Sequence, residues 1–158
     1  MSETFERYCE IKDEETLTKV VAHWQQVLRL QDWKVRAYFT RVFDLEKNAL
    51  AQCHAEPTKR VCDIPMMLPD ERLARATADD GKRFMPMETM ECSVVHELLH
   101  IYTVQMGLHE KDAESKEYIA MEQMVDALAC ALTGLHSYFD ARDLAAIPTS
   151  FPVALESE

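Results

Sequence analysis

In the run Val94-Val95-His96-Glu97-Leu98-Leu99-His100-Ile101, two histidines stand four residues apart and a glutamate directly follows the first. Side chains at i and i+4 leave a helix from one face, so both imidazoles can converge on a single zinc ion at about 2.0–2.1 Å. Glu97 then falls beside the metal rather than on it. There it can take a proton from water whose pKa the metal lowers toward neutrality, making a nucleophile for attack on a carbonyl. A charged glutamate between Val95 and Leu98, on so apolar a helix, is costly to bury without such a task.

A zinc site that does chemistry needs a third protein ligand and one position left for water. Glu122, on the next helical stretch, is the expected ligand. Asp126 follows it at i+4, so the two carboxylates share a face with Tyr118 and Ala129. The expected role of Asp126 is to accept a hydrogen bond from the outer nitrogen of a ligand histidine and so fix its tautomer. Cys92, one turn before His96, and Cys130, one turn after Asp126, can line the same site. A thiolate as fourth ligand would close the water position and leave a structural zinc instead. Tyr118, His109, His136 and Tyr138 are candidates by chemistry for stabilising the oxyanion of a transition state, Tyr118 and His109 foremost.

Several elements must hold these groups. Asp13 and Thr16 mark a helix start, and Leu17, Val20, Val21, Trp24, Val27 and Leu28 recur at helical spacing to about Leu30. His23, within that run, reads as a packing or surface histidine. Trp33 to Thr40 alternates as a strand, with Trp33, Val35, Ala37 and Phe39 on one side. Asn48 to Ala55 and Arg60 to Leu68 follow as two more strands, joined by a Glu56-Pro57-Thr58-Lys59 turn. Pro65 cannot donate a ladder hydrogen bond, which predicts an edge position or a strand end there. Cys53 and Cys62 would face each other across this hairpin as a packed, reduced pair.

Pro69 to Lys82 is polar and reads as a loop or flap with a possible short helix, a segment that could gate the site. A helix is expected from near Pro86 to Met106, capped by Gly107, and another from Asp112 or Ser115 to Thr133, stopped by Gly134. A last helix is expected over residues 137–146. The sum is an α+β chain: an N-terminal helix, a small three-stranded sheet, an active-site helix and a glutamate-bearing helix. Residues 1–158 suit one domain, with frayed ends at 1–12 and 148–158.

HExxH followed by ExxxD on the next long helix resembles the gluzincin zinc peptidases, over roughly residues 87–133. The wider order of elements, with its Leu-Gln-Asp-Trp segment, is similar to short metallopeptidase-like proteins of phages and bacteria. The resemblance implies a zincin-like fold and zinc-dependent peptide-bond hydrolysis. By position, it implies His96, His100 and Glu122 as ligands, Glu97 as the base and Asp126 behind the ligands. The metzincin pattern fails, because it wants glycine at Thr103 and histidine at Met106. His109 stays open as an alternative third ligand, as in SprT-like DNA-associated peptidases, although the acidic net charge counts against that role. At 158 residues the sequence is far shorter than thermolysin-like enzymes, and no counterpart of their large C-terminal domain is expected within it.

A formal charge of −11 argues against a nucleic-acid partner, since phosphate binding needs a surplus of lysine and arginine on some face. Residues 1–13 carry no apolar run of the kind a signal peptide or membrane span requires, so the expected setting is cytoplasmic, with no membrane partner. The five cysteines are scattered and form no CxxC pair, which argues for reduced thiols. The expected partner is a protein or peptide substrate, narrowly chosen. The competing expectation is a zinc-stabilised interaction module whose metal only ties two helices together.

Overall fold

The computed structural model describes residues 11–46, 49–78, 89–108 and 114–138. Four helices and a three-stranded sheet lie within them: α1 (Glu14–Val27), β1 (Lys34–Thr40), β2 (His54–Glu56), β3 (Val61–Met67), α2 (Pro69–Ala78), α3 (Met90–Gln105) and α4 (Lys116–Tyr138). The architecture is α+β, as the sequence predicts. Among the described residues no helix is long and apolar enough to cross a membrane.

α1 begins where Asp13 accepts a hydrogen bond from the Thr16 amide at 2.8 Å, an N-cap that satisfies one of the helix's orphan donors. Leu17, Val21 and Trp24 form its buried stripe against β1 and α3. Burial of a side chain such as Leu17 contributes about 2 kcal/mol. Ile11, within the end expected to be frayed over residues 1–12, is buried in the same core, and residues 1–10 lie outside the described ones.

β1 and β3 run parallel with Arg36 beside Asp63, and that pair closes a two-pronged salt bridge at 2.9 and 3.0 Å. The pair is exposed, so solvent screens it and it mainly marks the register. β2 pairs antiparallel with β3, giving the order β1-β3-β2. Pro65 therefore lies in the central strand, which corrects the edge position predicted for it. Both the His54↔Asp63 pair and the separate Ala51↔Met66 bridge belong to one hairpin register, so the strand partner of Pro65 is Gln52. Gln52 donates its amide to Pro65 O at 3.1 Å, and proline has no N–H to return. The missing donor thus interrupts the β2 ladder at one rung without displacing the strand. The predicted turn is present, with Lys59 N–H donating to Glu56 O at 3.2 Å. Of the predicted strand from Asn48, that residue lies outside the described ones.

Residues 69–78 form the short helix that the sequence reading allowed within its loop or flap, and 79–82 lie outside the described residues. Buried Arg72 anchors α2 by donating to Ser93 Oγ at 2.9 Å and to Thr89 O at 3.3 Å, on the first turns of α3. α3 is capped by Thr89, whose hydroxyl accepts from the Cys92 amide at 3.0 Å. The predicted start near Pro86 lies outside the described residues. At the far end Gly107, at φ +68°, closes a Schellman motif: Leu108 N–H donates to Thr103 O and Gly107 N–H to Val104 O, both at 3.0 Å. Tyr102 donates its hydroxyl to Leu28 O, fixing α3 to the end of α1.

Ser115 opens α4 by accepting from the Tyr118 amide at 3.1 Å. The predicted stop at Gly134 does not occur, and the helix runs on to Tyr138. Glycine in right-handed helical geometry weakens a helix by about 1 kcal/mol but does not end it, and the packing of α4 on α3 outweighs that loss. The rest of the predicted 137–146 helix falls mainly outside the described residues.

Candidate metal centre

α3 carries buried residues on every side, among them Val94, Val95, Leu98, Leu99 and Ile101. A helix apolar all round must be enclosed, and here α1 and α4 pack against it in a core shared with β3. His96 and His100 turn toward α4, where Glu122 and Asp126 meet them. His96 Nε2 lies 2.9 Å from His100 Nε2. Glu122 sets one carboxylate oxygen 3.5 Å from His96 Nε2 and the other 3.6 Å from His100 Nε2.

The tautomers follow from the opposite ring nitrogens. His96 Nδ1 is 2.8 Å from the Asp126 carboxylate, an acceptor only, so the Nδ1 carries the proton. Buried Thr103 gives its hydroxyl hydrogen to His100 O at 3.0 Å, which leaves its oxygen to accept from His100 Nδ1 at 3.3 Å. Both Nε2 atoms therefore present lone pairs to the point that Glu122 also faces. Acceptors converging without a donor repel one another unless a cation lies between them. Two donors held about 2.05 Å from one zinc at the tetrahedral angle stand about 3.3 Å apart. The three separations bracket that value.

His96, His100 and Glu122 thus form a group that can hold a metal ion, with donor atoms all within 4.8 Å of one another. The local field agrees. Burial works against a charged His96, yet Glu122, Glu97 and Asp126 carry the imidazole above its ordinary value. Burial likewise opposes a charged Glu122, but the neighbouring His100 and His96, and Tyr118 after them, hold its carboxyl well below the usual carboxylate range.

Glu97 is only 7% exposed and lines the cleft beside these ligands. Burial pushes its carboxyl up to about 7; His96 and His100 oppose the rise, and Glu122 and Asp126 add to it. The cleft encloses about 620 Å³, with the segment 49–54 as one wall and α3 and α4 as the others.

Tyr118 lines the cleft beside Glu122; burial first, then Glu122, pushes its hydroxyl up to about 12. Cys92 and Cys130 also line the cleft, but their sulfurs are not part of the metal-holding group. His136 lies elsewhere, 3.2 Å from Glu91 and packed on His23 and Trp24. His109 lies outside the described residues, as does the side chain of Tyr138. Thr103 is the functional partner the sequence reading missed; its only signal is a hydroxyl one turn beyond a ligand histidine. No family model, no curated protein and no solved structure matches the chain. The site's own chemistry therefore carries the functional reading.

Proposed function

We propose that the chain is a zinc-dependent peptidase of gluzincin type, with His96, His100 and Glu122 as ligands and Glu97 as general base. The observation that carries this reading is the convergence of two neutral imidazole lone pairs and one carboxylate beside a buried second carboxylate. Nitrogen and oxygen donors in a three-ligand set suit zinc with a coordination position left for chemistry. When bound, zinc supplies Lewis acidity and a water acidic enough to ionise near neutral pH. Glu97 accepts a proton from water in the cleft and returns it to the departing amine, and burial tunes its carboxyl for both transfers.

The substrate strand finds its place on the hairpin. β3 is paired on both sides, so the edge that the sequence assigned to Arg60 to Leu68 is taken. Leu50 and Gln52 direct their backbone groups to β3, so Ala51 and Cys53, between and beyond them, direct theirs away from it. Both residues line the cleft, and an extended peptide added at this edge would run past the ligands.

The test compares the wild-type chain with Glu97→Gln, by metal analysis and by cleavage of unstructured protein substrates. The variant is expected to keep one zinc per chain and to lose at least about a hundredfold in turnover. Equal cleavage by wild type and variant would remove Glu97 from the mechanism. Zinc retained without any hydrolysis by wild type would favour a metal that only ties α3 to α4.

A further inference from the structure

We infer that Cys92 and Cys130 are a redox-modifiable dithiol, which closes to a disulfide with a small disulfide oxidant and covalently links the two ligand-bearing helices. The inference rests on the metal-site reading above but not on peptide hydrolysis. Cys92 belongs to α3 one turn before His96, and Cys130 to α4 one turn after Asp126. Their sulfurs lie 3.7 Å apart. A disulfide bond is about 2.05 Å, so closure asks for an approach of about 1.7 Å, within the reach of side-chain rotation and a slight helix adjustment. Both residues line the cleft; Cys92 is buried and Cys130 half-buried, so the oxidant meets Cys130 first.

The exchange balances without a metal or cofactor. The Cys130 thiolate attacks one sulfur of the oxidant, forming a mixed disulfide and releasing one thiolate. Cys92 then attacks the Cys130 sulfur, forming the intramolecular bond and releasing the second thiolate. The protein is oxidised by two electrons, the small disulfide is reduced to two thiols, and the two protein thiol protons pass to them.

The other close pair is less suited. Cys53 and Cys62 have sulfurs 3.5 Å apart, but in the hairpin register Cys62 faces Ala55 and Cys53 faces Ile64. A bond between those diagonal positions would twist the ladder, and it would join strands of one hairpin rather than the helices that carry the ligands. Linking α3 to α4 acts directly on the metal group, because release of the ion requires Glu122 to part from His96 and His100.

The full chain, reduced and zinc-loaded, is incubated with oxidised glutathione without denaturant, then mapped by peptide mass spectrometry. In parallel, zinc transfer to a chromophoric chelator is timed. The expected result is a linked pair of peptides carrying Cys92 and Cys130, two hydrogens lighter than the free thiols. Zinc transfer should slow several-fold, and thiol reductant should reverse the change. Cys130→Ala, with Cys92→Ser as a second variant, should abolish both effects. Linkage confined to Cys53 and Cys62, or a glutathione adduct on Cys130 that goes no further, overturns the inference. Correct linkage with unchanged zinc transfer overturns its connection to the site. Zinc content of the reduced chain is measured separately, so failure of the metal reading shows there and not in the peptide map.

Discussion

Asp126 Oδ1 lies 2.8 Å from Nδ1 of His96, so the carboxylate fixes which nitrogen of that imidazole faces Glu122. Partners of this kind hold a ligand's orientation and raise its basicity. Asp126→Ala should weaken zinc binding by about 10–100-fold, read by competition with a chelator of known affinity. Its side chain is 66% exposed, so the urea midpoint of the metal-free chain should hardly move. A variant with wild-type zinc affinity would show that His96 needs no such partner.

Thr103 performs the matching task for His100. Thr103→Val keeps the side chain's shape and removes the oxygen placed for the His100 Nδ1 proton. Zinc affinity should fall by about tenfold, while Thr103→Ser should retain most of it. Equal affinities for the valine and serine variants would rule the hydroxyl out.

Gly134 and Gly107 should respond in opposite directions to alanine. Gly134 is helical and nothing lies within 4 Å of the place its Cβ would take, so Gly134→Ala should stabilise the chain by about 1 kcal/mol. The melting temperature should rise by about 2–4 °C. Gly107→Ala puts a Cβ on a residue at φ +68° and should cost about 1–2 kcal/mol. Thermal unfolding of both variants, without metal, tests the pair; destabilisation by both would mean that Gly134 is needed for contact rather than tolerated.

The cluster where α1, α3 and α4 meet has its own pH signature. Burial, then the neighbouring His136, holds the His23 imidazole below its ordinary value of 6.5, with Glu91 opposing. A depressed folded pKa means that the unfolded chain binds the proton more readily. The contribution of His23 to stability is therefore full above about 6.5 and declines as pH falls below it. Glu97 and His96, whose pKa values are raised, contribute more to stability as pH falls through the same range, so the signature of His23 is a difference. Between pH 7.5 and 5.5, in chelator, the urea midpoint of wild type should fall relative to that of His23→Gln. Parallel pH profiles for the two chains would clear His23 of the effect.

What was legible in the sequence is what local periodicity determines. The spacing of His96 and His100 predicts a shared face wherever a helix forms, and Glu122 with Asp126 repeats the logic on α4. The Asp13 cap and the Gly107 stop were legible for the same reason, since each acts on its own turn. Pro65 misled because its missing donor implies only an absent bond; which neighbour loses that bond depends on the strand order. Gly134 misled because a weak local preference yields to packing by a helix far away in sequence. Thr103 was hidden because its role appears only once the ring of His100 is oriented.

The two helices that share the metal group are not held alike. α3 is pinned at its start by Arg72, at its end by the Schellman turn and Tyr102, and is enclosed along its length. α4 meets solvent along one side, where Met124, Leu128 and Leu135 stand exposed. Amide protons of α3 should consequently exchange with deuterium only through the slowest opening of the molecule, whereas those of α4 exchange through smaller excursions. The histidines then form a stationary jaw, and an ion bound between them and Glu122 should register as quieting of the helix that brings the carboxylate.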